Sequence, residues 1–182
     1  MENIRLFISI SLEESLTTSL QKKFQTLALP WEKLKPVDPK ILHLTLKFLG
    51  DVPVDKLPDL IEALSKVAGT EPIELQVKGT SIIDAHKPRI LRLDFEDSPK
   101  LQVLYDSIEQ VLFDAGLAHK EIRKFSPHIT LARIKQQAEI GAFKEFDDWQ
   151  VKKIFSISHF ELQESVLTRK GPEYTVLQTF DI

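Results

Sequence analysis

The segment Ile41-Leu42-His43-Leu44-Thr45-Leu46-Lys47-Phe48-Leu49 alternates, with Leu42, Leu44, Leu46 and Phe48 on one face and His43, Thr45 and Lys47 on the other. A period of two marks a half-buried strand. Taken alone, the polar face could simply be solvated. A second copy changes that reading: Ser126-Pro127-His128-Ile129-Thr130-Leu131-Ala132-Arg133 repeats the pattern, with Ile129 and Leu131 opposite His128 and Thr130. The two histidines lie 85 residues apart, and the same offset carries Leu6, Ile8 and Ile10 onto Leu91, Leu93 and Phe95. An internal duplication is the economical explanation.

The elements around the two motifs follow one order. A strand over residues 4–10 leads to Ser11-Leu12-Glu13-Glu14, which has the form of a capping box and opens a helix to about Leu27. The His43 strand comes next, then a helix opened by Asp51-Val52-Pro53 and running to about Ala68, then a strand over Ile73 to Ile83. In the second copy, Arg89 to Phe95 alternates and Ser98-Pro99 starts an amphipathic helix that closes near Gly116. The His128 strand, a weaker helix from Ala138 to Trp149 and a strand over 152–165 complete it.

The expected architecture is therefore α+β: a single domain over 1–182, with two pseudo-symmetric lobes built from repeats at about 4–83 and 89–165. Each lobe alone has a small core, so two antiparallel sheets with outer helices should face one another across a central cleft, a C-terminal strand over 173–181 completing one sheet. The apolar faces pack under the helices. The His and Thr faces meet in the cleft.

The chain contains no cysteine, which excludes disulfides, thiol nucleophiles and thiolate metal sites and fits a reducing cytoplasm. The apolar run Ile4 to Leu12 is broken by Arg5 and serines and followed by Glu13 and Glu14, unlike a signal peptide. No stretch is long enough to span a bilayer. A net charge of −3 argues against coating long nucleic acid, while a terminal phosphate in a local pocket stays open. Lys22, Lys23, Lys33, Lys35 and Lys47 are scattered and read as a solvated surface.

A cleft holding two imidazoles and two hydroxyls suits a tetrahedral anion. Each threonine can donate to a non-bridging phosphate oxygen, while one histidine removes a proton from water and the other protonates the departing oxygen. Near neutral pH one ring can be neutral and the other charged. Each motif offers one ligand and no carboxylate at ligand spacing, so no metal and no cofactor is expected. His86 and His119 in loops, and His159 in a late strand without a threonine two residues on, are read as surface or satisfied residues.

His43-Leu44-Thr45-Leu46 and His128-Ile129-Thr130-Leu131 resemble the paired H-x-T-x motifs of the 2H phosphoesterases. The flanks, Arg5-Leu6-Phe7-Ile8, His43 through Gly50, Pro88-Arg89-Ile90-Leu91, Phe125 through Arg133 and Tyr174-Thr175-Val176-Leu177, resemble its RNA 2',3'-cyclic phosphodiesterase branch, also called the RNA 2'-5' ligase branch. The resemblance implies a bilobal fold and hydrolysis of 2',3'-cyclic phosphates on RNA ends or nucleotides to 2'-phosphates, with reversible 2'-5' RNA ligation beside it; within the same chemistry a 2'-5' linkage or a small cyclic phosphate from tRNA processing is the alternative substrate. It implies His128 as base toward water, His43 as acid toward the leaving 3'-oxygen, Thr45 and Thr130 as phosphate ligands and Arg133 as a contact to phosphate or nucleotide. Ala132 stands where the family often has glycine, Ile82-Ile83 where it often has an aromatic-proline pair, and Arg92 where an aromatic is frequent.

By the offset, Phe7 matches Arg92, so Phe7 is expected to stack on a base and Arg92 to add a cation near phosphate or ribose. Lys47 is either a substrate contact or a solvated rim residue. The expected partners are RNA 3' ends or nucleotides carrying the cyclic phosphate, for a monomer without membrane contact. A non-catalytic RNA or nucleotide binding module on the same scaffold is the alternative.

Overall fold

The computed structural model describes residues 2–67, 71–84, 86–135, 138–169 and 171–182. The expected helix end at Ala68 lies outside them. In chain order the elements are β1 (Asn3–Ser11), α1 (Glu14–Phe24), β2 (Leu34–Pro36), β3 (His43–Pro53), α2 (Leu57–Leu64), β4 (Ile73–Ile83), β5 (Ile90–Phe95) and α3 (Pro99–Asp114). There follow β6 (His128–Ile134), α4 (Lys144–Asp147), β7 (Ile154–Ile157), β8 (His159–Leu167) and β9 (Pro172–Asp181).

All pairings among the described strands are antiparallel. The order is β7-β4-β5-β6-β3-β1-β8-β9, with short β2 added on β6. The expected two sheets are present as the two sides of this curled array. They join where β3 meets β6 through one residue pair, Leu44 with Ile129, both fully buried. Burying such side chains stabilises by roughly 1.5–3 kcal/mol each. β4, from the first stretch of the chain, adds to β5, while β8, from the second, adds to β1.

The sheet's apolar residues, among them Ile8, Leu44, Leu93, Ile129 and Leu162, form one core cluster with Phe24 of α1, Leu64 of α2 and Ile108 of α3. α3 begins as its sequence dictates: the Ser98 hydroxyl accepts from the Leu101 amide at 3.3 Å and Pro99 takes the first helical position. Past its end, Gly116 adopts φ +67°, the left-handed conformation that suits glycine after a helix.

Several expectations are corrected. Ser11 does not cap α1; it ends β1 and its hydroxyl donates to the Glu161 carboxylate at 2.5 Å, leaving Glu13 at the helix start and Phe24 at its end. Asp51-Val52-Pro53 extends β3 to complete its ladder with β1, and α2 starts at Leu57 after one 3-10 turn. The segment 138–149 holds a 3-10 turn and the short α4. The strand expected over 152–165 is two strands: β7 pairs with β4 and β8 with β1, on opposite sides of the molecule.

Bulges account for the remaining departures. In the β1–β3 ladder Ile8 pairs with Lys47 and Ser9 with Thr45, so Leu46 is an extra residue; in β5–β6, Leu91 pairs with Ala132 and Arg92 with Thr130, so Leu131 is extra. These are equivalent positions at the 85-residue offset. A bulge shifts the side-chain alternation beyond it by one. Phe48, expected in the core, is thus 76% exposed, and Lys47, expected on the cleft face, is buried.

Candidate active site

His43 opens β3 and His128 opens β6, and both rings are anchored alike. His43 Nδ1 lies 2.8 Å from the Ile41 carbonyl and His128 Nδ1 lies 2.7 Å from the Ser126 carbonyl. A carbonyl only accepts, so in the neutral ring Nδ1 carries the proton and Nε2 presents a lone pair. The Leu44–Ile129 pair sets the relation between the two strands. Its register brings Thr130 toward His43 and Thr45 toward His128, all on the face away from the two buried leucine and isoleucine side chains. Both threonines are half-buried, and their hydroxyls bond to no described protein group.

Both imidazoles titrate below the ordinary 6.5, chiefly because burial disfavours the charged ring, with the carbonyl bond at Nδ1 opposing it. Around His43 the next influences are His128, which lowers it, Glu161, which raises it, and Arg133, which lowers it. Around His128, Arg92 lowers it and Asp94 raises it. Arg133 also opposes the rise that burial imposes on the Tyr174 phenol, so its guanidinium acts on the His43 side of the site.

The two histidines have unlike neighbours. The His43 ring centroid lies 5.1 Å from Phe7 and 5.3 Å from Tyr174, and those two rings are 4.9 Å apart. Behind them, the buried Glu161 carboxylate takes hydrogen bonds from Ser11 Oγ at 2.5 Å and Gln163 Nε2 at 2.7 Å, and lies 3.6 Å from His159 Nε2. His128 instead pairs across the ladder with Asp94. Arg92 Nε donates to Ser81 Oγ at 2.9 Å and lies 2.9 Å from Asp94 Oδ1, an ion pair that leaves that oxygen without a hydrogen-bond donor among the described groups.

His43, Thr45, His128, Thr130, Arg92 and Arg133 therefore stand around one cleft. Phe7 faces it but is only 3% exposed, packed on His43, Tyr174 and Phe48, so it supports the His43 ring and has no face free for a base. Lys47 is not in the cleft. The bulge at Leu46 turns it inward, where Nζ donates to Glu109 Oε1 at 2.5 Å and to the His119 carbonyl at 2.9 Å. Phe48, Tyr174, Asp94 and Glu161 were not anticipated. The 85-residue offset maps Phe48 onto Arg133 and could have found it, and alternation along β5 sets Asp94 on the face of Arg92; Tyr174 and Glu161 depend on strand register. Among the described residues no three His, Asp or Glu side chains converge as a metal-binding group.

Comparison with known proteins bears on the family and the fold. Residues 10–91 match the family model described as LigT like Phosphoesterase. A Thermus thermophilus protein named RNA 2',3'-cyclic phosphodiesterase is 34% identical over 98% of this chain and 90% of its own. One of the same name from Archaeoglobus fulgidus is 27% identical over 98% of this chain and 100% of its own. A Thermus thermophilus crystal structure superposes with a TM-score of 0.79 at 30% identity, covering 98% of this chain and 97% of that one. The apo E. coli LigT structure gives a TM-score of 0.79 at 24% identity over 100% and 98%, which bears on the fold alone. With 34% identity to a relative along nearly its whole length, the chain belongs to the LigT-like phosphoesterases of the 2H superfamily.

Proposed function

We propose that the protein hydrolyses 2',3'-cyclic phosphates on RNA 3' ends or nucleotides to 2'-phosphates, using His43 and His128 as an acid and base pair without a metal. The observation that carries this reading is the matched anchoring of two imidazoles, each tied at Nδ1 to the carbonyl two residues back, on either side of one β3–β6 bridge. Each Nε2 is then the proton-transfer atom. Pure binding has no use for such a pair.

The phosphate sits between the rings, its non-bridging oxygens accepting from the Thr45 and Thr130 hydroxyls and from the Arg133 guanidinium. His128 Nε2 takes a proton from water as the water oxygen attacks phosphorus. The bond from phosphorus to O3' breaks, and the His43 imidazolium delivers its Nε2 proton to that oxygen. One water is consumed and both ring charges exchange.

Charge alone treats the two rings alike: Glu161 beside His43 and Asp94 beside His128 favour a cation, while Arg133 and Arg92 oppose one. The division of labour follows the family resemblance, and a negative substrate favours the charged ring at either position. With a 5'-hydroxyl end in place of water the same roles give 2'-5' ligation from a cyclic phosphate, and in the reverse cleavage of that linkage the roles exchange.

The test is hydrolysis of an oligonucleotide ending in a 2',3'-cyclic phosphate, in excess EDTA, with the product identified by phosphorus NMR. A 2'-phosphate is expected. No turnover, or a 3'-phosphate product, would refute the proposal.

A further inference from the structure

β2 pairs with β6 so that Lys35 stands directly across from Arg133. One step outward the Lys135 amide donates to the Lys33 carbonyl at 2.8 Å, which continues the same antiparallel register and sets Lys33 across from Lys135. Residues two apart share a face, so Lys35, Arg133 and Lys135 stand in one row. Their intervening neighbours confirm the face: Leu34 is buried and Ile134 half-buried, while Lys35, Arg133 and Lys135 are exposed.

Like charges directly opposite on a ladder destabilise it. Here the repulsion is not relieved internally, since none of these three cations makes an ion pair with a described carboxylate. The β8–β9 hairpin adds to the row. Lys35 Nζ comes within 3.7 Å of where a β-carbon on Gly171 would sit, and the exposed Arg169 stands on the same hairpin tip. A chain of net charge −3 has thus concentrated cations along one edge that starts at Arg133, the residue acting on His43, and leads away from the cleft.

We infer that this β2–β6 edge is a binding track for the RNA backbone upstream of the terminal phosphate, so that the ligand is a single-stranded oligonucleotide and not a mononucleotide alone. The direction of the strand rests on the proposed placement of the terminal phosphate between His43 and His128. Lys35 and Lys135, far apart in the sequence, gain this function from strand pairing. They neutralise phosphates without reading bases, as expected of a track that serves many RNA ends.

The experiment measures binding of a 5'-fluorescein ten-nucleotide RNA ending in a 2'-phosphate, by anisotropy over a salt series, to the wild type and to Lys35→Gln/Lys135→Gln. Neither residue touches the proposed reacting groups. Wild-type affinity is expected to fall with salt, and the double variant to lose roughly tenfold at low salt with a log–log slope shallower by about 1.4, the value for two phosphates on a single strand. Displacement by adenosine 2'-phosphate should be unchanged, and thermal stability equal or higher because repulsion is relieved. Equal slopes for variant and wild type, equal losses for oligonucleotide and mononucleotide, or competition by a decaglutamate peptide as strong as by RNA would overturn the inference. Because this is a binding measurement, track binding with no hydrolysis in EDTA would sink the proposed chemistry and leave the track standing.

Discussion

At the scale of residues, His43 and His128 are set apart from the other histidines by what holds them. Both lose part of their basicity to burial and both keep Nε2 for the cleft. In the free enzyme the base must be neutral and the acid protonated, so kcat/KM should follow a bell. With both rings lowered from 6.5, the acid limb, where the base gains its proton, and the alkaline limb, where the acid loses its own, fall below that value. Activity on a cyclic-phosphate substrate should already be declining at pH 7; a maximum above pH 7.5 would contradict this placement. Phe7 and Phe48 make a second contrast, being 3% and 76% exposed. Phe7→Ala should cost about 3–5 kcal/mol in urea unfolding, as large-to-small core changes do, and Phe48→Ala no more than about 0.5 kcal/mol.

The histidines and threonines were legible because each motif precedes its bulge, so simple alternation held for them. Beyond Leu46 it failed. Nothing in one strand's periodicity announces an extra residue, because the bulge is a property of two paired strands. Tyr174 stands in a flank that carries the resemblance, but its contact with His43 was not legible for a related reason: β9 is brought to that side by its pairing with β8 and β8's pairing with β1.

At the scale of elements, the bulge that displaces Lys47 ties β3 to α3. Lys47 and Glu109 are 8% and 7% exposed, and Glu109 also accepts from the Glu121 amide at 2.8 Å, in the loop that leads to His128. Removing one partner strands a charge. Lys47→Met should therefore destabilise by roughly 3–5 kcal/mol, whereas Lys47→Met with Glu109→Leu should recover much of it. Equal denaturation midpoints for the single variant and the wild type would show that the pair does not hold this joint. The helix and strand boundaries teach the same lesson. Ser98-Pro99 was a sufficient start signal for α3, since cap and proline act locally. Ser11-Leu12-Glu13-Glu14 had an equally good local signature, but the buried Glu161 competes for the Ser11 hydroxyl from 150 residues away.

At the scale of the molecule, the strands are interlocked. β4 crosses to the β5–β6 side and β8 to the β1–β3 side, and β7 and β8 separate at Ser158. We read this as two duplicated halves that exchange strands, which explains how a repeat with a small core per copy yields one continuous cluster. Trp31 and Trp149 both pack on Phe24, at 5.2 and 6.0 Å. Tryptophan fluorescence and far-ultraviolet dichroism should then report one coincident urea transition, and two separated transitions would show independently stable lobes. The offset of 85 residues made the pairing of His43 with His128 visible in the sequence, whereas the exchange of strands leaves no mark in periodicity.

The central claim is that these two rings act as one unit on one phosphate, and single-turnover hydrolysis of a cyclic-phosphate oligonucleotide tests it with His43→Ala, His128→Ala and the double variant. Each single change should lower the rate by about 10²–10⁴ with unchanged dichroism, and the double variant should be no slower than the worse single one, since half of an acid–base pair is of little use. A single variant that keeps the wild-type rate, or losses that simply multiply in the double variant, would contradict the account.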